Sequence, residues 1–383
     1  FNILYTNADQ LRTKLEELRL YSINNTPDIM CITEVKPKRA SFSFTKSELH
    51  IEGYTLFTND LSNTNSNRGC AMYIKNKISA DQVFFDDFNV PDCMWIEIKL
   101  INQDKLLAGC IYRSPNANDE YNTKLNNLLK HTSHLGHSHY LVMGDFNFKN
   151  INWRTWSVKN NDDNAGNFLE SVMDCFLFQH VDEPTRARAS QEPSLLDLVM
   201  TNEEGMVDSL EILSPLGSSD HAVLKYHFNC YSPLTSNTPL KYQFNRGNYD
   251  KMKRELDEKD WHHILKEEDT IDSAWDKFSN IISGLMSRYI PKRQTNRNRK
   301  LTKLTPLDQN AIKKIKKKHR AWARYIETKE SENYKTYCRL KNQVKKLAKK
   351  ARIKQERNIA NNSKTNPKAF WKFANSQTKT REG

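Results

Sequence analysis

Between Asn2 and Phe228 the chain keeps returning to short apolar runs of strand length, each closed by a polar turn. The runs are Asn2 to Tyr5, Ile29 to Ile32, Thr55 to Phe57, Cys70 to Ile74, Met94 to Lys99, Leu106 to Tyr112, Tyr140 to Met143, Leu195 to Val199 and Ala222 to Phe228. Segments this short and this numerous predict packed sheets, not a helical bundle. Helical faces intervene at Leu11, Leu15 and Leu18, at Tyr121, Leu125 and Leu128, and at Phe168, Val172 and Phe176. From Thr55 to Ile111 there is no room for a crossover helix between each pair of strands, so two sheets with outer helices fit better than one parallel sheet.

The grammar changes near Cys230. The Ser, Pro, Asn and Thr rich stretch from Ser232 to Pro239 marks a domain exit, which gives a first domain at 1–230, a linker at 231–240 and a helical region at 241–383. Beyond it Ile271, Trp275, Phe278, Ile282 and Leu285 form a helical stripe closed by Pro291. Tyr334, Tyr337, Leu340, Val344 and Leu347 form another, and Asn366 before Pro367 reads as the start of a third helix. Charge divides the chain at the same place. Residues 1–230 carry 21 Lys and Arg against 30 Asp and Glu, whereas residues 231–383 carry 38 against 16. Most of that excess lies in residues 288–383, with 30 basic and six acidic side chains. Such a density suits a polyanion: RNA, DNA or, on charge alone, an acidic membrane surface.

No run approaches the roughly 20 apolar residues that span a bilayer, so a membrane protein is not expected. Seven cysteines without a CxxC pair read as free thiols of an intracellular protein. The opening on Phe1 and the trailing end suggest an excerpt of a longer chain.

The chemistry sits where strands stop. Asn7 and Asp9 follow the first strand, Glu34 the second, and Asp145 and Asn147 the run ending in Met143-Gly144. Asp197 interrupts an otherwise buryable run, and Ser219, Asp220 and His221 precede the last strand. An isolated Asp at a strand end is commonly a cap, so the reading rests on joint occurrence. A hard divalent ion such as Mg2+ suits this oxygen-rich set, with Glu34 joined by Asn7, Asp145, Asn147 or Asp220; zinc does not, for want of thiolates and clustered imidazoles. His221 can polarise a phosphoryl oxygen or accept a proton, with Asp197 fixing its tautomer. Asp145 can orient or deprotonate water, and Asn147 can donate to developing negative charge. Which of Asp145 and His221 is the base stays open. Tyr112 and Arg113 can supply a hydroxyl and a cation to phosphate, while Arg68, Arg154, Arg186 and Arg188 can clamp a nucleic-acid backbone around an acidic pocket.

Taken in order, Tyr5-Thr6-Asn7-Ala8-Asp9, Ile32-Thr33-Glu34, Tyr112-Arg113-Ser114-Pro115-Asn116, Gly144-Asp145-Phe146-Asn147, Leu196-Asp197-Leu198-Val199 and Ser219-Asp220-His221 resemble the endonuclease/exonuclease/phosphatase family. More closely, residues 1–230 resemble the apurinic-like endonuclease of non-LTR retrotransposons. The resemblance implies a four-layer α/β sandwich followed by a basic, mostly helical connector, and Mg2+-dependent nicking of target duplex DNA that leaves a 3' hydroxyl; Mn2+ is a possible substitute. It implies a metal and phosphate site at Glu34, Asn7 and Asp9, a catalytic pair at Asp145 and Asn147, a phosphate-contacting Tyr112, a histidine-orienting Asp197 and a terminal catalytic His221, with Ser219 where repair relatives more often have Asp.

The later half resembles the connector ahead of reverse transcriptase in Jockey-like LINE polyproteins. Retroelement RNA, a downstream reverse transcriptase and a nuclear place of action are then expected. Lys313, Lys314, Lys316, Lys317, Lys318, Arg320 and Arg324 are the expected nucleic-acid contacts of the connector. The alternatives are an abasic-site repair nuclease or related phosphoesterase, and an inactive nucleic-acid-binding scaffold.

Overall fold

In the computed structural model the described residues are 1–37, 45–59, 67–88, 90–188, 191–230, 240–242, 244–265, 270–294 and 306–377. The linker expected at 231–240 lies, but for Leu240, outside them. The chain forms two compact units, one of residues 1–234 with 304–383 and one of residues 235–303.

In chain order the larger unit begins with β1 (Asn2–Asn7), α1 (Leu15–Asn25), β2 (Ile29–Thr33), β3 (Tyr54–Thr58), β4 (Cys70–Lys75) and β5 (Ala80–Val83). There follow β6 (Cys93–Lys99), β7 (Lys105–Tyr112), α2 (Asp119–Ser133), β8 (His139–Asp145) and the small pair β9 (Ile151–Asn152) and β10 (Ser157–Val158). Next come α3 (Asp163–Asp174), β11 (Phe178–Gln179), β12 (Asp197–Thr201), β13 (Val207–Leu213) and β14 (Val223–Phe228).

One six-stranded sheet runs β13-β14-β1-β2-β4-β3 and the other β11-β12-β8-β7-β6-β5. Each contains a single parallel pair, β1 with β2 and β7 with β8, and in both cases a helix (α1 or α2) makes the crossover that a parallel pair requires. The sheets face each other across a dry core that includes Tyr5, Cys31, Met72, Cys110, Met143 and Leu224. Helices α2 and α3 cover the far side of the second sheet through Leu125, Leu129, Phe168 and Val172, each helix started by a side-chain cap, Asn118 or Asp162. This is the expected four-layer α/β sandwich.

The layer over the first sheet is shared. Leu15, Leu18 and Tyr21 of α1 cover part of it, and Ala311, Ile315, Val344 and Ala348 cover the rest. Those four residues come from two long helices much later in the chain, which pair as an antiparallel hairpin.

The smaller unit holds β15 (Leu240–Tyr242), α4 (Tyr249–Asp257), α5 (Trp261–Ile264), α6 (Ile271–Tyr289) and β16 (Lys292–Gln294). β15 pairs with β16, and Glu255 of α4 bonds to Arg288 and Tyr289 of α6. The expected stripe forms α6, which stops before Pro291, although Ile271 and Trp275 on it are exposed. The chain then enters α7 (Pro306–Thr328), α8 (Ser331–Asn361) and α9 (Pro367–Gln377), the last beginning at the expected Pro367. Among the described residues no helix is long and apolar enough to cross a membrane, and all seven cysteines are free.

Two local expectations are corrected, and two strands were not foreseen. Phe176 does not continue the face of α3: it lies past the helix end at φ +52° and is 81% exposed. Asp197 opens β12 instead of sitting inside a strand. Strands β5 and β13 carry too few buried apolar positions to announce themselves as strands.

Candidate active site

Sheet register assembles the rim. In the second sheet Tyr112 pairs with Asp145 and Asp145 with Asp197, so three polar side chains stand abreast on neighbouring strands. In the first sheet Asn7 lies beside Thr33, one residue before Glu34, and the Ser219 to His221 segment enters β14 beside β1. Gly144 makes the close approach of β7 and β8 possible: a Cβ there would lie 2.0 Å from the carbonyl oxygen of Ile111. Asp9, Glu34 and Asn147 all adopt positive φ, at 38°, 52° and 53°. Such left-handed residues cost on the order of 1–3 kcal/mol each and persist where their surroundings dictate them.

His221 is buried between carboxylates. Its Nδ1 lies 2.8 Å from Asp197 Oδ2, and its Nε2 lies 3.7 Å from Asp145 Oδ2 and 4.0 Å from Asp220 Oδ1. Tyr5 donates its hydroxyl to the other Asp197 oxygen at 2.9 Å, and the Asp197 amide donates to Thr185 Oγ1 at 3.0 Å. Both Asp197 carboxylate oxygens are thereby engaged, and the residue is fully buried. Asn7 Nδ2 donates to Asp145 Oδ2 at 2.8 Å, while Asp145 Oδ1, equally buried, has no hydrogen-bond partner among the described residues.

Burial pushes Asp145 up to about 7; the His221 charge opposes that, and Asp197 and Glu34 add to it. Burial alone would lower His221, but Asp197 and Asp145 overcome it and hold the imidazole protonated to about 10. The pair therefore presents an imidazolium beside a carboxyl group that titrates near neutrality.

Arg68, expected as an outer clamp, turns inward instead. It is 9% exposed, donates to Asp9 Oδ1 at 2.9 Å and to the carbonyl of Lys36 at 3.0 Å, and pairs with Glu34. Arg113 is likewise no phosphate contact. Its Nε donates to Asn122 Oδ1 at 2.8 Å and its guanidinium lies 3.8 Å over the Phe148 ring. Asn147 Nδ2 donates to the Arg113 carbonyl at 2.8 Å, which leaves its second amide hydrogen for another acceptor. Tyr112 is nearly buried; burial and the facing Glu34 carboxylate raise its phenol far above the ordinary range, so it stays a neutral donor.

Asp220 also differs from the expectation of a metal ligand. Arg186 Nε at 2.7 Å and Arg188 Nε at 2.6 Å both donate to its Oδ2. Burial raises its pKa, but His221 and these arginines more than reverse that, to about 2. Arg188 stays half exposed and Arg154 is exposed, so both remain accessible at the surface. On the helical hairpin, Lys313, Lys316, Lys317, Arg320 and Arg324 are exposed and Lys314 is half-buried. Lys318 is fully buried, so it is not a nucleic-acid contact.

Asp145, Asp197 and His221 offer ligand atoms within 4.8 Å of one another. Asp197 spends both oxygens on Tyr5 and His221, so the all-oxygen donors that suit a hard divalent cation are the Glu34 carboxylate, close enough to help raise Asp145, and the Asn7 amide oxygen. Sequence reasoning missed two members of the site. Tyr5 lies two residues before Asn7, a spacing that puts both on one face of β1, so strand alternation carried its signal; Thr185, in a loop, had none.

Residues 106–225 match the protein family described as endonuclease-reverse transcriptase. No curated protein matches the chain. Solved structures similar to it include the endonuclease domain of TRAS1, a telomere-specific non-LTR retrotransposon, at 15% identity and a TM-score of 0.46 over 60% of this chain and 98% of that one. An AP endonuclease from Archaeoglobus fulgidus is 14% identical with a TM-score of 0.45 over 60% and 99%. The 3'-5' exonuclease NExo from Neisseria meningitidis is 14% identical with a TM-score of 0.44 over 60% and 100%.

Proposed function

We propose that this chain, which carries an endonuclease domain of the endonuclease/exonuclease/phosphatase type, nicks one strand of duplex DNA by Mg2+-dependent hydrolysis and leaves a 3' hydroxyl for reverse transcription. The observation that carries the reading is the buried Tyr5–Asp197–His221 chain ending beside Asp145, whose one unpartnered oxygen can take a proton.

In this reading the Asp145 carboxylate accepts the proton of the attacking water, since His221 is already protonated at neutral pH. His221 Nε2–H, the Tyr112 phenol and the second Asn147 amide hydrogen donate to the oxygens on which charge grows at phosphorus. Asn7 holds Asp145 in place, and Asp197 with Tyr5 holds the imidazole in its tautomer. Glu34 and Asn7 would hold Mg2+, or Mn2+ as a substitute, which would supply Lewis-acid neutralisation of the phosphate when bound, leaving Asp145 Oδ1 for the proton. Arg154, with Arg186 and Arg188 gripped by Asp220, lies at the surface to meet the DNA backbone.

The exposed cations of α7 make retroelement RNA or target DNA their natural ligand, and a genomic substrate sets the place of action in the nucleus. The test is a nicking assay on supercoiled plasmid with and without Mg2+, repeated with Asp145→Asn and on intact and abasic duplexes. Metal-dependent nicking of lesion-free DNA by the parent and none by the variant is expected. Cleavage confined to the abasic duplex would move the assignment to a repair nuclease, and binding without product to a scaffold.

A further inference from the structure

The sequence places α7 and α8 in a connector, yet they grip the segment that carries His221. Lys318, without solvent exposure, donates to the Pro215 carbonyl at 2.9 Å and pairs with Glu17. Glu17 Oε2 in turn accepts from the Gly217 amide at 3.2 Å. The next hairpin residue holds the turn one step earlier: His319 Nδ1 accepts from the Ser214 amide at 3.2 Å and lies 2.8 Å from Ser214 Oγ. Since Nδ1 is the acceptor, Nε2 carries the hydrogen and donates to Tyr21 at 2.9 Å. Burial and the Lys318 and Lys225 charges keep this imidazole neutral, near 3.

From that turn the chain runs directly into the site. Ser219 N donates to the Leu216 carbonyl at 3.0 Å, Ser219 Oγ donates to the Asn7 carbonyl at 2.8 Å, and His221 N donates to Ser219 Oγ at 3.2 Å. Gly217, at φ +56°, sets the turn so close to Lys14 that a Cβ would lie 2.7 Å from its side chain. A second contact reaches the same segment from its other flank. Ala187 packs into the hairpin cluster of Trp322, Tyr325 and Tyr337, and its amide donates to the Asp220 carbonyl at 3.1 Å. The neighbours of Ala187 are Arg186 and Arg188, both bonded to Asp220.

We infer that the α7–α8 hairpin is a brace of the nuclease site, with Lys318 and His319 as positioning residues that fix the 214–221 turn and so the placement of His221. It follows that the catalytic unit does not end near residue 230, because the ordering of its last catalytic segment is supplied by residues 311–348. The kinetic half of this inference rests on the nuclease reading; the structural half does not.

The test uses the full chain with Lys318→Met, which keeps volume but removes the bond to Pro215, and His319→Phe as a milder second variant. Amide hydrogen exchange is followed together with nicking kinetics. In Lys318→Met, exchange at residues 185–188 and 214–222 should quicken about tenfold or more, with strands β6, β7 and β8 at the parent rate. Its kcat should fall about tenfold with KM within about twofold, because a misplaced catalytic group costs chemistry and not binding. For His319→Phe, quickened exchange confined to residues 214–216 and about a threefold loss of kcat are expected.

Parent exchange at 214–222 in both variants overturns the brace, as does local quickening with parent kcat. Should Lys318→Met loosen the whole domain, His319→Phe decides alone by the same criteria. If the parent itself does not nick DNA, the nuclease reading fails, whereas locally quickened exchange still upholds the brace.

Discussion

The catalytic rim and the α7–α8 hairpin face opposite electrostatic problems. The rim crowds Glu34, Asp145, Asp197 and Asp220 into partly or wholly buried positions, with Asp9 exposed at its edge, and answers with Arg68 on Asp9 and Glu34, His221 on Asp197, and Arg186 with Arg188 on Asp220. The hairpin crowds cations and leaves nearly all of them in water; Lys318 alone among those expected to bind nucleic acid is buried, against Glu17. Charges paired at short range in a dry interior resist salt, whereas exposed charges more than a Debye length of about 8–10 Å from their partners are screened. The rim should therefore govern chemistry and the hairpin surface should govern salt-dependent affinity.

That contrast can be broken at its strongest point first. Asp145→Asn removes the proposed proton acceptor and should slow nicking by about 10^3-fold, with DNA affinity near the parent value in a filter-binding or anisotropy titration. If the variant nicks normally, the rim does not work through Asp145. Next comes pH. With Asp145 raised to about 7, its base form accumulates as pH rises through that value, and His221, held protonated to about 10, loses its donor proton above that. The rate of nicking should climb through the first value and decline beyond the second. A flat profile between pH 5 and 9, an interval of about four units spanning the Asp145 transition, would contradict the assignment.

Gly144→Ala forces a methyl group onto the Ile111 carbonyl and should cost about 1–3 kcal/mol of stability in thermal unfolding, whereas Gly166→Ala in α3, whose Cβ meets nothing within 4 Å, should be neutral or stabilising. The smallest effect belongs to the hairpin. Replacing Lys316 and Lys317 by Ala should leave kcat unchanged and lower the slope of log affinity against log salt by about 0.9 for each duplex phosphate that is no longer neutralised. A fall in kcat equal to that of a rim variant would erase the distinction between the two regions.

The same contrast explains what was legible in the sequence. Asn7, Glu34, Asp145, Asp197 and His221 could be picked out because each is a polar residue at or inside an apolar strand, and strand ends on one rim bring distant segments together. The faces of α2 and α3 were readable for a similar local reason: their apolar spacing repeats within one helix. What could not be read were pairings. Nothing near Arg68 says that it bonds to Asp9 and Glu34, and nothing near Arg113 says that it turns onto Phe148. Lys318 looks like its neighbours in a basic run, and only the fold reveals that this one position faces Glu17, 301 residues earlier. Long-range partnership has no local periodicity, so a residue's type was visible while its direction was not.

The bond from Tyr5 to Asp197 crosses from one sheet to the other. It makes Asp197 a gauge of how tightly the two halves of the sandwich are closed. Any breathing that parts the layers withdraws the phenol and frees the carboxylate to drift from its histidine. On heating, such an enzyme would fall silent while its strands and helices were still largely intact.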